Sequence, residues 1–216
     1  MDIGVSEYAL KHGISSRRVL QLIEQGRVAA RRSGGMWLID TRELARRSFL
    51  RRPMSTKMAW AFIDLLSGGT TDPRLDPAEA SRLRSRQREL RDHEQPARLL
   101  SSWLHSRCPV QRFAVAQDDG PRLIGDPRFA QSGISDPRAG INAAGEYEGY
   151  VHSRDIAGLV RESLLVPSSQ PNVLLHVVER TTVTPVPFGL VVADLADRNG
   201  PREDAQVARL LERQWS

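Results

Sequence analysis

Hydrophobic residues near the start of the chain repeat at helical spacing in two short stretches. The first stretch predicts a helix over 7–12, with Ser6 as its N-cap and Gly13 at its end. The second predicts a helix over 16–25 that Gly26 ends, with apolar residues on one face and polar residues on the other. Two short helices joined by a glycine-containing turn are typical of a helix-turn-helix, whose second helix enters the major groove of DNA.

The helical spacing then gives way to alternation. Residues 27–32 and 36–40 alternate between polar and apolar side chains, which predicts a β-hairpin. Gly34 and Gly35 lie at its tip, where a tight turn requires positive φ. We expect Trp37 to pack within the hairpin rather than to contact DNA.

The first part of the chain resembles the winged helix-turn-helix of excisionase and MerR-type regulators. The resemblance lies in VSEYALKHGISSRRVLQLIEQGRVAARRSGGMWLIDTRELAR, which spans 5–46. The shared pattern is a short helix, Gly-Ile-Ser, a recognition helix, Gly-Arg-Val, a glycine-tipped hairpin and a capped helix, which here would cover 42–51. The resemblance implies a winged helix-turn-helix DNA-binding domain over 1–54.

In such a domain the start of the second helix points toward base edges. Arg17 is suited to bidentate pairing with guanine and Gln21 to pairing with adenine, while Arg18 and the helix N-terminus are suited to phosphate. The hairpin residues are suited to phosphate or minor-groove contact. The candidate DNA contacts are Ser15, Ser16, Arg17, Arg18, Gln21, Arg31, Arg32, Gly34 and Gly35.

The charge of the chain is concentrated in the same region. The formal net charge is +5, but residues 1–60 hold 12 Lys and Arg against 5 acids, so the rest of the chain is slightly acidic. A basic segment joined to an acidic body favours a polyanionic partner for the first segment and another role for the second.

The chain changes character after the hairpin. A strongly apolar helix over 56–66 and an arginine-rich helix over 77–93 lead us to expect a helical connector over 55–94, or a dimer seam at the first helix. The second helix has two leucines to bury, and acids are interleaved with its arginines. We therefore expect a solvated face rather than a second nucleic-acid contact. Its arginines are Arg82, Arg84, Arg86, Arg88 and Arg91.

Residues 95–216 predict an α+β domain with few strands, in a chain that is mainly helical overall. Strands are expected over 146–151 and 172–178, and a last helix starts at Pro201. Two stretches of this region are GEYEGYVHSRDIAGLVRESLLVPSSQPNVLLHVV, over 145–178, and GLVVADLADRNGPREDAQVARLL, over 189–211. Together they resemble the C-terminal part of AbiEi-type antitoxins, the partners of nucleotidyltransferase toxins. Members of that group repress their own operon through an N-terminal winged helix and neutralise the toxin through the C-terminal part. His176 stands where the resemblance would place an arginine-like residue.

Few residues predict catalysis. The histidines are scattered, and the spacing of His105 and Cys108 offers only two ligands where a zinc site takes three or four. No phosphate-binding glycine loop or nucleophile elbow occurs in the sequence. We therefore expect no enzymatic activity, metal or cofactor, and an inert thiol at Cys108.

Together these observations predict a DNA-binding autorepressor that acts as the antitoxin of a toxin–antitoxin pair. The expected partners are double-stranded DNA carrying promoter repeats, a cognate toxin and a second copy of the chain on DNA. The absence of a signal core or a long apolar run, together with the single cysteine, predicts a cytoplasmic protein that does not enter membranes. The alternatives are an excisionase-like regulator from a phage or mobile element and an enzyme that carries a DNA-binding head.

Overall fold

The structure is a computed structural model in which the chain divides into two compact units. The first unit is Met1–Leu50 and the second is Arg51–Ser216. The fold is mixed α/β and about half helical, with two sheets in the described part of the chain. None of the described helices is long and apolar enough to cross a membrane. The structure describes residues 2–12, 15–24, 28, 30–40, 53–70, 72–180 and 184–216.

In the described residues of the first unit, two helices pack on a three-stranded antiparallel sheet of order β1-β3-β2. The sequence pattern did not predict β1, whose Ile3 pairs with Ile39. The predicted helix over 42–51 and the glycines at 13 and 26 lie outside the described residues. The elements are β1 Asp2–Gly4, α1 Val5–His12, α2 Ser16–Glu24, β2 Ala30–Ser33 and β3 Met36–Asp40.

A small apolar core joins these elements. It contains Ile3 of β1, Tyr8 and Ala9 of α1, Val19 of α2 and Ile39 of β3. Because Val19 and Ile39 are fully buried, they fix which face of α2 and of the hairpin turns inward.

The second unit has seven described helices around a five-stranded sheet, with two short 3₁₀ turns at 133–135 and 137–139. Its helices are α3 Thr56–Leu66, α4 Pro77–Asp92, α5 Pro96–Leu104, α6 Gly120–Gly125, α7 Ile156–Glu162, α8 Phe188–Arg198 and α9 Pro201–Trp215. Its strands are β4 Val110–Ala114, β5 Ala130–Gln131, β6 Tyr147–His152, β7 Val166–Pro167 and β8 Val173–Val178.

The strand order is β5-β6-β8-β4-β7. The central strands β6 and β8 are parallel and the other pairs are antiparallel. The register places Tyr150 beside His176. Because side chains alternate across a strand, Tyr147 and Val151 pack in the core on the opposite face, together with Leu175.

The helices of the second unit form one large core against the sheet. The ring of Phe62 in α3 meets that of Trp103 in α5 edge-on at 5.8 Å. Leu83 and Leu90 of α4 are fully buried in the same core. Residues 55–94, expected to form a connector, therefore pack within the second unit, because their apolar faces find partners in α5 and α8.

Candidate functional site

The second helix of the first unit is anchored by its apolar face and presents its polar face to solvent. Ser15 accepts a hydrogen bond at its Oγ from the backbone N–H of Arg18 at 3.2 Å, which caps the helix. Val19 is fully buried, whereas Ser16, Arg17 and Arg18 are exposed. The outward face of α2 therefore carries two guanidinium groups close to the helix N-terminus.

Arg18 and Gln21 form one polar unit on this face. The Nη1 atom of Arg18 donates to Oε1 of Gln21 at 2.6 Å. The amide carbonyl of Gln21 is thus engaged, while its amide N–H groups are available to donate. In bidentate pairing with adenine the amide both accepts and donates, and Oε1 has a second lone pair with which to accept while the Arg18 bond is kept.

The hairpin turn is built on two glycines in the left-handed region. Gly34 has φ +55° and Gly35 has φ +82°, and both are exposed. The guanidinium of Arg32, also exposed, lies 6.0 Å from the centre of the half-buried Trp37 ring. Arg31 pairs with Leu38 in the β2–β3 ladder. Its side chain is not among the described ones, so its contact with DNA stays a prediction.

The second unit contains a polar cluster that sequence reasoning did not find. Its centre is Arg107, which is buried together with Asp194, and the two side chains form an ion pair. Arg107 also donates from Nη1 to Asp197 Oδ2 at 2.6 Å and from Nε to the hydroxyl of Tyr150 at 3.0 Å. Ser132 donates its hydroxyl to the second oxygen of Asp194.

His176 is the second centre of this buried polar cluster. Its ring stacks on Tyr150 at 4.7 Å, and its Nε2 lies 3.1 Å from Glu148 Oε1. Because a carboxylate only accepts, Nε2 carries the proton. Burial lowers the pKa of His176, but the charge of Asp194 and the hydrogen bonds with Cys108 and Glu148 outweigh it and raise the pKa to about 10.

Three ligand-type side chains meet in the cluster, namely Glu148, His176 and Asp194. Both carboxylates already have cationic partners, since Arg107 pairs with Asp194 and Arg198 donates from Nε to Glu148 at 3.0 Å. A metal ion would have to displace these guanidinium groups. The arrangement is therefore explained as a charge-compensated hydrogen-bond network in the core.

The two residues weighed as a half-site for zinc make different contacts. The ring of His105 lies 3.2 Å from the backbone carbonyl of Ser101. The Sγ of Cys108 lies 3.8 Å from Nδ1 of His176, a contact that the sequence did not reveal. Cys108 otherwise packs at the edge of the large core.

A sequence signal for the cluster did exist. His176 interrupts the apolar strand VLLHVV, and Asp194 interrupts the apolar helix segment FGLVVADLA. An isolated polar residue inside a buried element requires a partner, and here the two residues lie against each other, with Nε2 of His176 3.5 Å from Oδ1 of Asp194. The acids near the C-terminus divide between two settings: Asp194 and Asp197 pair with Arg107, and Glu203 and Asp204 lie in the first turn of α9.

Comparison of the chain with protein-family models, with curated proteins and with solved structures finds no match.

Proposed function

We propose that the protein is a sequence-specific DNA-binding transcriptional regulator whose first unit acts as a winged helix-turn-helix. The observation that carries the proposal is the two-sidedness of α2. The helix buries Val19 in the core, exposes Arg17 and Gln21 on the opposite face and exposes Arg18 on the flank. Such a helix is suited to the major groove, where Arg17 would donate to the N7 and O6 atoms of guanine.

The hairpin would supply contacts that do not depend on sequence. Arg32 is exposed beside a turn in which two glycines leave the backbone open to approach. A guanidinium group in this position suits phosphate or the minor groove. In this proposal Arg17 determines base preference and Arg32 contributes affinity.

The length of α2 favours binding as more than one copy. Nine residues span about 13 Å at 1.5 Å per residue, so one helix reads few base pairs. We therefore propose binding to promoter repeats, with one copy of the chain on each half-site.

We further propose that the second unit binds a cognate toxin, so that the protein is an autorepressing antitoxin. This part rests on the resemblance of residues 145–211 to AbiEi-type antitoxins. The fold supports it through the separation of the chain into two compact units, which allows each unit its own partner.

The proposal is tested with full-length protein and labelled duplexes by fluorescence anisotropy. We expect a duplex from the protein's own promoter to bind about 10³-fold more tightly than a scrambled duplex of equal length and composition. Both affinities should fall as salt is raised. Equal affinity for the two duplexes would contradict sequence-specific regulation.

The antitoxin part has a separate test. Full-length protein carrying Arg17→Ala and Arg32→Ala should lose repression of a reporter but still protect cells from the product of the neighbouring gene. Failure of the unmodified protein to protect would contradict the antitoxin role and leave DNA binding in place.

A further inference from the structure

Helix α4 of the second unit carries three arginines on one narrow face. Arg84, Arg88 and Arg91 are four and three residues apart, so they fall within about 60° of the helix circumference. All three are exposed. The opposite side of the helix holds Leu83 and Leu90, which are fully buried. We call Arg84, Arg88 and Arg91 the α4 basic stripe.

The charges of the stripe are not neutralised within the described part of the chain. Arg84 and Arg88 form no ion pair or hydrogen bond there. Arg91 lies with its guanidinium 5.1 Å from the centre of the Trp215 ring, a cation–π contact that positions the group without cancelling its charge. The stripe therefore presents three full positive charges to solvent.

The acids interleaved with the arginines of α4 were the reason to expect an ordinary solvated face. In the structure, two of these acids contact groups outside the stripe. Glu79 accepts from Lys57 at 2.7 Å and from the backbone N–H of Asp76 in the capping box at the start of α4. Glu89 lies 3.9 Å from Arg86. Glu79 and Glu89 therefore pair with groups other than the arginines of the α4 basic stripe.

The remaining acids lie at the C-terminal end of the helix. Asp92 is its last residue and Glu94 follows it, and both are exposed. No described ion pair joins Asp92 or Glu94 to Arg88 or Arg91. Like charges at the spacings of Arg84, Arg88 and Arg91 repel and weaken a helix, so the stripe lowers stability in the free protein.

The dimensions of the stripe suit the backbone of duplex DNA. Its guanidinium groups originate over about 10 Å of helix at 1.5 Å per residue, and one DNA strand advances about 3.4 Å per phosphate. Arginine donates in a fork that matches phosphate oxygens. The side chains Arg84 and Arg88, being free of other partners, can turn to such a ligand at no cost in existing bonds.

We propose that the α4 basic stripe is a second DNA-contacting surface that binds phosphates of the same duplex as the first unit. The inference rests on the proposed function in taking duplex DNA as the ligand, and adds a sequence-independent contact from the second unit. The covalent link between the units raises the effective concentration of the stripe near bound DNA. The stripe increases affinity for every duplex by the same factor.

The test measures the salt dependence of binding by full-length protein to promoter and scrambled duplexes. The stripe variant is Arg84→Ala/Arg88→Ala. The control is Arg82→Ala/Arg112→Ala, which removes the same charge from another face of α4 and from β4, where both arginines are exposed. The pair Arg84→Gln/Arg88→Gln repeats the test with side chains closer in size. Thermal unfolding checks that each variant is folded.

Each lost phosphate contact reduces the slope of log K against log salt by about 0.9. We expect both stripe variants to reduce the slope by about 1.8 for each bound copy of the chain, with the promoter preference unchanged, while the control keeps the slope of the unmodified protein. The inference would be overturned if the unmodified protein binds normally and the stripe variants keep its slope. An acidic protein would then be the partner to consider for the stripe. Equal losses in stripe and control variants would also overturn it, because net charge alone would explain them. If the unmodified protein binds neither duplex, the proposed function itself fails.

Discussion

Arg107 and Asp194 form an ion pair in the core of the second unit, with side chains that are 1% and 0% exposed. Arg107 lies just before β4 and Asp194 lies in α8, so the pair joins the sheet to the helix layer. Tyr150 donates to the same carboxylate at 3.0 Å. A buried pair of this kind stabilises the fold only while both partners and their hydrogen bonds are present.

Replacing one partner should therefore be costly. Asp194→Asn removes the negative charge but keeps the shape, and among the described residues it leaves the partly exposed Asp197 as the remaining counter-charge of the buried Arg107. We expect the free energy of unfolding of the second unit to fall by about 3 to 5 kcal/mol. Urea denaturation followed by circular dichroism measures the change.

The pair of a half-buried Asp72 and an exposed Arg74, whose side chain is 87% accessible to solvent, supplies the control. Asp72→Asn should leave the urea midpoint nearly unchanged, because solvent screens a pair at the surface. Similar midpoints for Asp194→Asn and Asp72→Asn would show that the buried pair does not contribute as argued.

The pKa of His176 predicts a loss of stability at alkaline pH. The carboxylates of Asp194 and Glu148 raise it to about 10 in the folded protein, from an ordinary value of 6.5. Because folding raises this pKa, the protonated ring of His176 contributes to the stability of the folded protein. The contribution is complete below pH 6.5 and is lost as the pH rises toward 10. Urea unfolding at intervals between pH 6 and pH 10 should show a falling free energy of unfolding.

His176→Gln should remove most of that pH dependence, because glutamine does not titrate. His152→Gln, at the end of β6, is the matched control and should keep it. A parallel decline in the His176→Gln and His152→Gln proteins would assign the effect to other groups.

Helices with local start signals could be predicted closely from the sequence. The predicted helix over 56–66 is confirmed as α3. It could be predicted because its apolar stripe is continuous and because Ser55 caps it, accepting a hydrogen bond from the backbone N–H of Met58. The two-residue strands β5 and β7 and the three-residue β1 could not be predicted. They are too short for any periodicity and exist only through pairing with distant residues.

The buried polar cluster was missed for a related reason. Glu148, His176 and Asp194 come from β6, β8 and α8, and only the parallel β6–β8 register and the packing of α8 bring them together. The pairing of Asp194 and Asp197 with Arg107 could not be predicted from the sequence, because Arg107 lies 87 and 90 positions away from them along the chain. The side chains of α2 follow from a local pattern, and their exposure could be anticipated.

Close packing between helices makes Gly189 sensitive to a single methyl group. A Cβ at this position would lie 2.5 Å from the backbone carbonyl oxygen of Ile63, which has little freedom to move. We expect Gly189→Ala to destabilise the second unit by about 1 to 3 kcal/mol. Gly125→Ala, where a Cβ would meet nothing within 4 Å, should lower the thermal midpoint far less. Equal midpoints would contradict the close approach of α3 and α8.

Substitutions in the hairpin turn of the first unit should differ in effect according to how readily the new residue adopts positive φ. Gly34 has φ +55°, with open space around a new Cβ, so backbone strain alone determines the effect. Gly34→Val should weaken the hairpin and lower DNA affinity, whereas Gly34→Asn should be tolerated because asparagine enters the left-handed region readily. Thermal unfolding and DNA titration of the two variants provide the comparison, and equal behaviour would contradict the turn geometry.

The most direct measurement of the central claim is the ratio of promoter affinity to scrambled-duplex affinity in the Arg17→Ala protein. If α2 reads base edges through Arg17, that ratio should fall by about 5-fold to 150-fold, equivalent to about 1 to 3 kcal/mol of discrimination. Arg112→Ala, which removes an exposed arginine from the second unit, should leave the ratio unchanged. An unaltered ratio in Arg17→Ala would contradict the assignment of α2 as the helix that reads DNA.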